Sequence, residues 1–294
     1  MSILVNEDTK VLIQGITGAY GRNQSAAMKE YGTNIVVGVA PGRAGTETFG
    51  VPVYNTVKQA GEYHDFDASI IYVPPPFTKD AVLEAVENGV ELIVIATEGV
   101  PIHDTLYFRH IAEKYGTWIV GPNSIGMISP GKTLLGSLAP SFTFPGNVGL
   151  ISRSGTMAIE FVQILGDCGI GLSTGIGIGG DKVIGKNPID YLKLFEDDPD
   201  TRAVVMLGEI GGSKELEAAD YIKEMSTKVF SFIVGISAPK GKRMGHIGAI
   251  ASAENEGAEY KKNVLKAAGS YVADTPWELG ESLKYYLMEG IQGD

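Results

Sequence analysis

At 294 residues and 31.2 kDa, with 44% hydrophobic residues, the chain is long enough for two ordinary domains and too apolar to stay disordered. Its formal charge of -11 repels phosphate backbones and anionic lipid, which argues against nucleic-acid and membrane-surface partners and leaves any phosphorylated ligand to local dipoles and a few cations. Cys168 is the one cysteine, so no internal disulfide is expected, and the start MSILVNEDTKVL lacks the charged and apolar regions of a secretory signal; a cytoplasmic or organelle-matrix protein is expected.

From residue 10, short apolar runs alternate with helix-like stretches: KVLIQ, NQSAAMKEYG, NIVVGVAPG, a connecting segment, ASIIYVPPP, TKDAVLEAVENG, ELIVIATEG, DTLYFRHIAEKYG and WIVGPN. This order predicts α/β architecture, a parallel sheet with helices on its faces, because strands buried on both sides need near-continuous apolar runs. The rhythm breaks over residues 127–147, MISPGKTLLGSLAPSFTFPGN, whose prolines and glycines read as a linker or covering loop between domains at 1–126 and 148–294. A second alternation follows: NVGLISRSG, TMAIEFVQILGDCG, GLSTGIGIGG, PIDYLKLFEDD, AVVMLGEIGG, KELEAADYIKEM, VFSFIVGIS, a glycine-rich loop, EYKKNVLKAAG, YVADT and PWELGESLKYYLMEG. It predicts a second parallel α/β domain.

In open α/β sheets, ligands collect beyond the carboxyl ends of the strands, where helix N-termini favour anions. The first such loop is QGITGAYGRNQS, in which Gly15, Gly18 and Gly21 let a phosphate approach the backbone; tight helix–strand packing without a ligand explains the same glycines. Arg43 stands where a dinucleotide site places an acidic residue against the ribose. It suits a ligand with an additional ribose phosphate, such as coenzyme A or NADP, or it is a solvated surface arginine. In ISRSGTMAIEF, a strand turns into a helix through Ser154, Gly155 and Thr156, which either aims N–H groups at a compact anion or simply caps the helix.

The loop APKGKRMGHIGAI carries His246 between glycines and just after Lys240, Lys242 and Arg243. Glycines free the ring to enter a tight pocket, cations attract a phosphoryl donor, and a neutral imidazole is a competent nucleophile toward phosphorus when a carboxylate fixes its tautomer. Glu209, at the strand end MLGEIGG, is the candidate carboxylate; a packed turn before a helix is the plain alternative for the loop. His64, His103 and His110 read as surface or capping residues.

Taken together, GITGxxG near the start, TEG at 97–99, GPN at 121–123, SRSGT at 152–156, GIGGD at 177–181, GEIGG at 208–212 and the histidine loop resemble the α subunit of succinyl-CoA synthetase and related ADP- or GDP-forming acid–CoA ligases, over nearly the whole chain. The resemblance implies a Rossmann-like CoA-binding domain followed by a flavodoxin-like ligase domain. It implies that His246 is phosphorylated, that Glu209 orients it, and that Ser154, Gly155 and Thr156 cradle the phosphoryl group. It also implies CoA contacts at Thr17, Gly18, Ala19, Tyr20, Arg43, Ala96, Thr97 and Glu98. The implied reaction turns acid, CoA and NTP into acyl-CoA, NDP and phosphate through phosphohistidine and acyl phosphate. An ATP-grasp β subunit, in a heterodimer or heterotetramer, is implied as the holder of ATP or GTP with Mg²⁺, for which this chain shows no motif; no metal site is expected here.

Departures from the family pattern gather where acid and thiol should meet. GPNCPG is GPNSIG, with Ser124 and Ile125; the TGSQGTFH-like loop is TGAYGRNQ; and the tyrosine usual after the SGTL-type turn is Ile159. Succinate is the default acid, and the altered pocket suggests another short acid such as sulfoacetate, malate or citrate. Two other readings stay open: an NADP-dependent oxidoreductase using the first glycine loop, which leaves His246 and SRSGT unexplained, and a CoA-binding regulatory module without catalysis.

Overall fold

The apolar runs fold into two sheets dominated by parallel pairing, in a computed structural model that describes residues 2–239, 241–242, 244–246, 249–251 and 253–289. The first sheet is built from β1 (Val11–Gln14), α1 (Ala19–Tyr31), β2 (Ile35–Val39), β3 (Glu47–Thr48), β4 (Val51–Tyr54), α2 (Val57–Gly61), β5 (Ala68–Ile71), α3 (Pro75–Glu87), β6 (Leu92–Ile95), α4 (Ile102–Tyr115) and β7 (Trp118–Val120). Its strand order is β3-β4-β2-β1-β5-β6-β7, parallel except for the short β3–β4 pair. Strands β1, β5 and β6 are buried along their whole length, as helices on both faces require. The chain leaves β1 toward β2 on one side and returns to β5 on the other, so a crevice opens at the carboxyl ends of β1 and β5.

The stretch 127–147, expected to be a linker or covering loop, instead takes part in the second sheet. Strands β8 (Gly126–Ser129) and β9 (Thr133–Gly136) form an antiparallel pair, and β8 continues antiparallel onto β11 (Leu172–Gly177). The prolines do not prevent this, because each sits where a missing N–H is harmless: Pro130 in the turn, Pro140 at the start of a short 3₁₀ turn, and Pro145 as the first residue of β10 (Pro145–Ser152). Gly126 belongs to close strand approach: a Cβ there would lie 1.7 Å from the Leu135 carbonyl oxygen.

The rest of this sheet follows the predicted alternation: α5 (Gly155–Asp167) after β10, then β11, α6 (Pro188–Glu196), β12 (Ala203–Glu209), α7 (Lys214–Ile222), β13 (Lys228–Val234), α8 (Ala258–Ala267), β14 (Tyr271–Val272) and α9 (Pro276–Glu289). The order β14-β13-β12-β10-β11-β8-β9 places β11 and β12 on opposite sides of β10, and a second crevice opens there. One apolar core runs through both sheets, from Ile13 and Ile70 to Phe161, Tyr191 and Phe195. Polar contacts join them as well: Thr33 Oγ1 donates to the Leu134 carbonyl at 2.8 Å, and the Ile3 amide donates to Thr174 Oγ1 at 3.2 Å. Among the described residues, no helix is long and apolar enough to cross a membrane.

Gly21 shows why the first loop is glycine-rich. A Cβ there would lie 2.3 Å from the Gly15 carbonyl oxygen, so α1 can seat against the end of β1 only without a side chain at that position. Substitution Gly21→Ala should destabilise the chain by about 1–3 kcal/mol, the usual range for overpacking, seen as a lower urea midpoint with an unchanged slope.

Candidate active site

Strand β12 is buried throughout and delivers Glu209 as its last residue, at the carboxyl end of the second sheet. Its Oε2 meets His246 Nδ1 at 2.9 Å. The loop holding the ring closes on itself through backbone bonds from the Met244 amide to the Ala249 carbonyl and from the Ala249 amide to the His246 carbonyl. The imidazole rests on the turn after β11: a Cβ on Gly180 would lie 2.8 Å from its Cγ and Cδ2. The hydrogen bond to Glu209 raises the His246 pKa above its ordinary value, outweighing the opposite pull of burial and of Arg153. Of the three cations expected beside it, Lys242 is exposed, and Lys240 and Arg243 lie outside the described residues.

Glu209 is almost wholly buried, and a buried carboxylate stays ionised only with counter-charges. Arg153, from the turn between β10 and α5, supplies the first, with Nη2 at 3.1 Å from Glu209 Oε1, an ion contact outside hydrogen-bond alignment. Arg153 Nη1 reaches Glu215 Oε1 at 3.0 Å, and Lys261 Nζ reaches Glu215 Oε2 at 2.5 Å. Lys261 also donates to the carbonyls of Glu209 and Gly211 at 2.9 and 2.8 Å. Burial pushes the Glu215 carboxyl up, but Arg153 and Lys261 prevail and hold it down at about 2. Burial lowers the Lys261 amine against the pull of Glu215. Two cations and two carboxylates thus close a buried, balanced cluster beneath the histidine. Arg153, in a turn, and Glu215 and Lys261, on helices, escaped the sequence reading, since nothing local marks a charged residue as buried.

The cradle candidates lie on the neighbouring strand end. Ser154 caps α5, its Oγ accepting from the Met157 amide at 3.4 Å, so its side chain performs the capping role, and Gly155 and Thr156 open the helix, whose first-turn amides have no partner within the helix itself. β10 pairs directly with β12, with Ser152 opposite Leu207, which puts this helix start and Glu209 on one edge of the sheet. Gly155 presses on Ile125: a Cβ there would lie 2.4 Å from Ile125 Cγ2. Ile159 follows one turn later and is 37% exposed. Ser124, expected in an acid pocket, instead faces inward. Its Oγ donates to the Gly177 carbonyl and accepts from the Gly126 amide at 2.8 Å, because the chain must turn there into β8.

At the first crevice, Gly18 precedes α1, and Ala19 and Tyr20 open it, both exposed; Thr17 is half-buried. Tyr20 packs edge-on against Tyr72 at 5.4 Å. Arg43 is exposed in the turn after β2, which Asn55 Oδ1 shapes by accepting from the Gly42 and Ala44 amides. Ala96 and Thr97 are half-buried after β6, where Thr97 Oγ1 donates to the Val73 carbonyl at 2.7 Å, and Glu98 is exposed. A cleft of about 650 Å³ opens beside this group, walled by Gly15, Val39, Pro41, Val73 and Phe77. The sequence reading passed over these apolar walls, although the strand-end texts VAP and YVPPP carry them.

Asn123 joins the two crevices. Its amide donates to the Thr97 carbonyl at 2.9 Å, its carbonyl accepts from the Gly180 amide at 3.2 Å, and its Nδ2 donates to Asp181 Oδ1 at 3.1 Å.

Comparison with known proteins agrees with this arrangement. The CoA binding domain family matches residues 6–99, and the CoA-ligase family matches residues 151–271. The chain is 50% identical over 281 residues to succinate–CoA ligase [ADP-forming] subunit alpha 2 of Archaeoglobus fulgidus, covering 96% of this chain and 98% of that one. It is 46% identical over 288 residues to the malate–CoA ligase subunit alpha of Methylorubrum extorquens, covering 96% and 97%. Among solved structures, ATP citrate lyase from Methanothrix soehngenii in complex with citrate and coenzyme A matches with a TM-score of 0.91 at 25% identity, covering 99% of this chain and 52% of the longer one, so this chain corresponds to about half of that polypeptide. Identity of this extent along nearly the full length of its curated relatives means that the chain belongs to the family of ADP-forming succinate–CoA ligase α subunits, and so to the acid–thiol ligases that act with a β subunit.

Proposed function

We propose that His246 carries a phosphoryl group between a nucleotide and a short carboxylic acid, and that the acyl phosphate so formed is captured by CoA. The observation that supports this most directly is the 2.9 Å contact between His246 Nδ1 and Glu209, made over the balanced charge cluster. With Nδ1–H held by the carboxylate, the Nε2 lone pair is the nucleophile. Attack on the γ-phosphorus of NTP forms an N–P bond and releases NDP. The acid's carboxylate oxygen then takes the phosphoryl group, restoring the imidazole. The CoA sulfur attacks the acyl carbon, the C–O bond to phosphate breaks, and the thiol proton leaves with the phosphate.

In this reading, the first-turn amides of Gly155 and Thr156, with the positive end of the α5 dipole, receive the transferring phosphate. A Rossmann-like crevice with an apolar wall suits an adenine ring, with Thr17, Gly18, Ala19 and Tyr20 along the phosphates, Arg43 at the ribose phosphate, and Ala96, Thr97 and Glu98 toward the thiol end. ATP or GTP with Mg²⁺ belongs to an ATP-grasp β subunit in a heterodimer or heterotetramer. A chain whose one cysteine is buried and unpaired suits a reducing cytoplasm or organelle matrix. Ile125 and Ile159 give the acid an aliphatic wall beside the cradle, which favours a ranking of short acids different from one set by a tyrosine hydroxyl. Succinate is the reference acid, with malate, citrate and sulfoacetate as competitors.

Incubating the assembled α and β subunits with γ-labelled NTP should place an acid-labile, base-stable label on His246; label elsewhere, or none, sinks the reading. Because protonated imidazole is not nucleophilic, the labelling rate should rise with pH through a midpoint above the ordinary 6.5. In Glu209→Gln that midpoint should move down and the plateau should fall by about 10²-fold or more. Arg43→Ala should raise the KM for CoA by about tenfold, the worth of one charged hydrogen bond, while leaving the KM for dephospho-CoA unchanged; equal effects on both would remove Arg43 from the ribose phosphate. Across a panel of the four acids, Ile159→Tyr should change the kcat/KM ratio of at least one pair by about tenfold without altering the labelling of His246.

A further inference from the structure

Two ionisable groups at the glycine turn under His246, Asp181 in it and Lys214 bonded to it, have no part in the transfer described above. Lys214 is the first residue of α7, where the helix dipole disfavours a cation, yet its half-buried side chain runs inward and Nζ donates to the Asp181 carbonyl at 3.0 Å. Burial, followed by the nearby Arg153, lowers its amine to about 7. Asp181 is itself buried, and its carboxylate accepts from Asn123 Nδ2 at 3.1 Å. Between these two anchors lies a pliable turn, Gly179 at a φ of 104° followed by Gly180, and on Gly180 lies the imidazole. A glycine turn has little stiffness of its own, so a wall built from it needs outside ties.

We propose that Lys214 is a positioning residue for His246: it clamps the Gly180–Asp181 turn from the α7 side while Asn123 holds it from the other, so that the imidazole is pressed onto Glu209. The inference deepens the phosphoryl-transfer reading and rests on it for its consequence, not for its geometry. The charged groups that face the ring are Glu209 from the end of β12, Arg153 from the β10–α5 turn, Glu98 from the loop after β6, and Asp181 from the turn itself. Lys214 therefore acts through the turn it holds. Removing its donor should loosen the ring from Glu209, and the protonated imidazole should lose its partner.

The test uses the full chain with isotope-labelled histidine, whose four imidazoles are assigned by the loss of one signal in His246→Ala. Nitrogen chemical shifts followed against pH report the titration and tautomer of His246 directly. In Lys214→Met the midpoint of His246 should fall toward the ordinary imidazole value and the fixed Nδ1–H tautomer should be lost, whereas Lys214→Arg should keep both. With the β subunit present, the single-turnover labelling rate should fall about tenfold or more in Lys214→Met, as expected for a misplaced nucleophile, and recover in Lys214→Arg. A His246 titration unchanged in Lys214→Met overturns the proposal, as does an equal loss in Met and Arg variants, which would mark Lys214 as a general structural residue. Failure of the wild-type complex to label His246 would instead overturn the transfer reading, since the shifts test the clamp without nucleotide.

Discussion

A carboxylate sealed inside a protein needs partners for its charge, and this chain buries two cations with Glu209. Arg153 and Lys261 together balance Glu209 and Glu215, and each ion is held by at least two others or by backbone carbonyls. Removing one member of such a cluster strands a charge, at a cost of about 3–5 kcal/mol. The arrangement therefore serves placement more than net stability: it fixes one carboxylate oxygen where the imidazole arrives. It also links elements far apart in sequence, since Arg153 precedes α5, Glu215 lies in α7 and Lys261 lies in α8. The start of α5 and the carboxylate that meets His246 are thereby tied to each other through Arg153.

The two sheets each provide a crevice at a strand-order reversal. The first holds an apolar slot with exposed glycine and arginine turns; the second holds an imidazole against a buried carboxylate. Asn123, bonded to Thr97 on one side and to Gly180 and Asp181 on the other, sets the spacing between them through three short hydrogen bonds. The hairpin β8–β9 has a related part: it follows Asn123 directly, and Thr33 of the first half bonds its edge strand. Misreading that hairpin as a covering loop came from treating proline and glycine as breakers, whereas two four-residue strands fit between them with every proline in a turn or at a strand start.

The residues that depart from the family pattern at GPNSIG and at Ile159 divide by where their side chains go. Ile125 fills the space between Gly155 and Gly177, and Ile159 stands at the surface of α5, so both present hydrocarbon near the cradle. Ser124 differs from the family pattern just as plainly, but its hydroxyl is engaged within the fold.

What the sequence by itself determined was the pair of alternating α/β halves and the glycine turns at strand ends, because periodicity and strand-end chemistry are local properties; Glu209 was a candidate there, and its pairing with His246, 37 residues on, was implied by the family resemblance. Tertiary structure alone decided which charges are buried. Lys261 and Lys262 stand side by side in EYKKNVLKAAG and both are buried, yet the first is sealed against the buried Glu215 and the second pairs with the exposed Asp274. It alone decided, too, that Lys214 points inward to the Asp181 carbonyl rather than to water. The physical reason is that a side chain's charge is visible in the text, but its desolvation and its partners depend on residues brought near from distant strands, and no local pattern encodes that proximity.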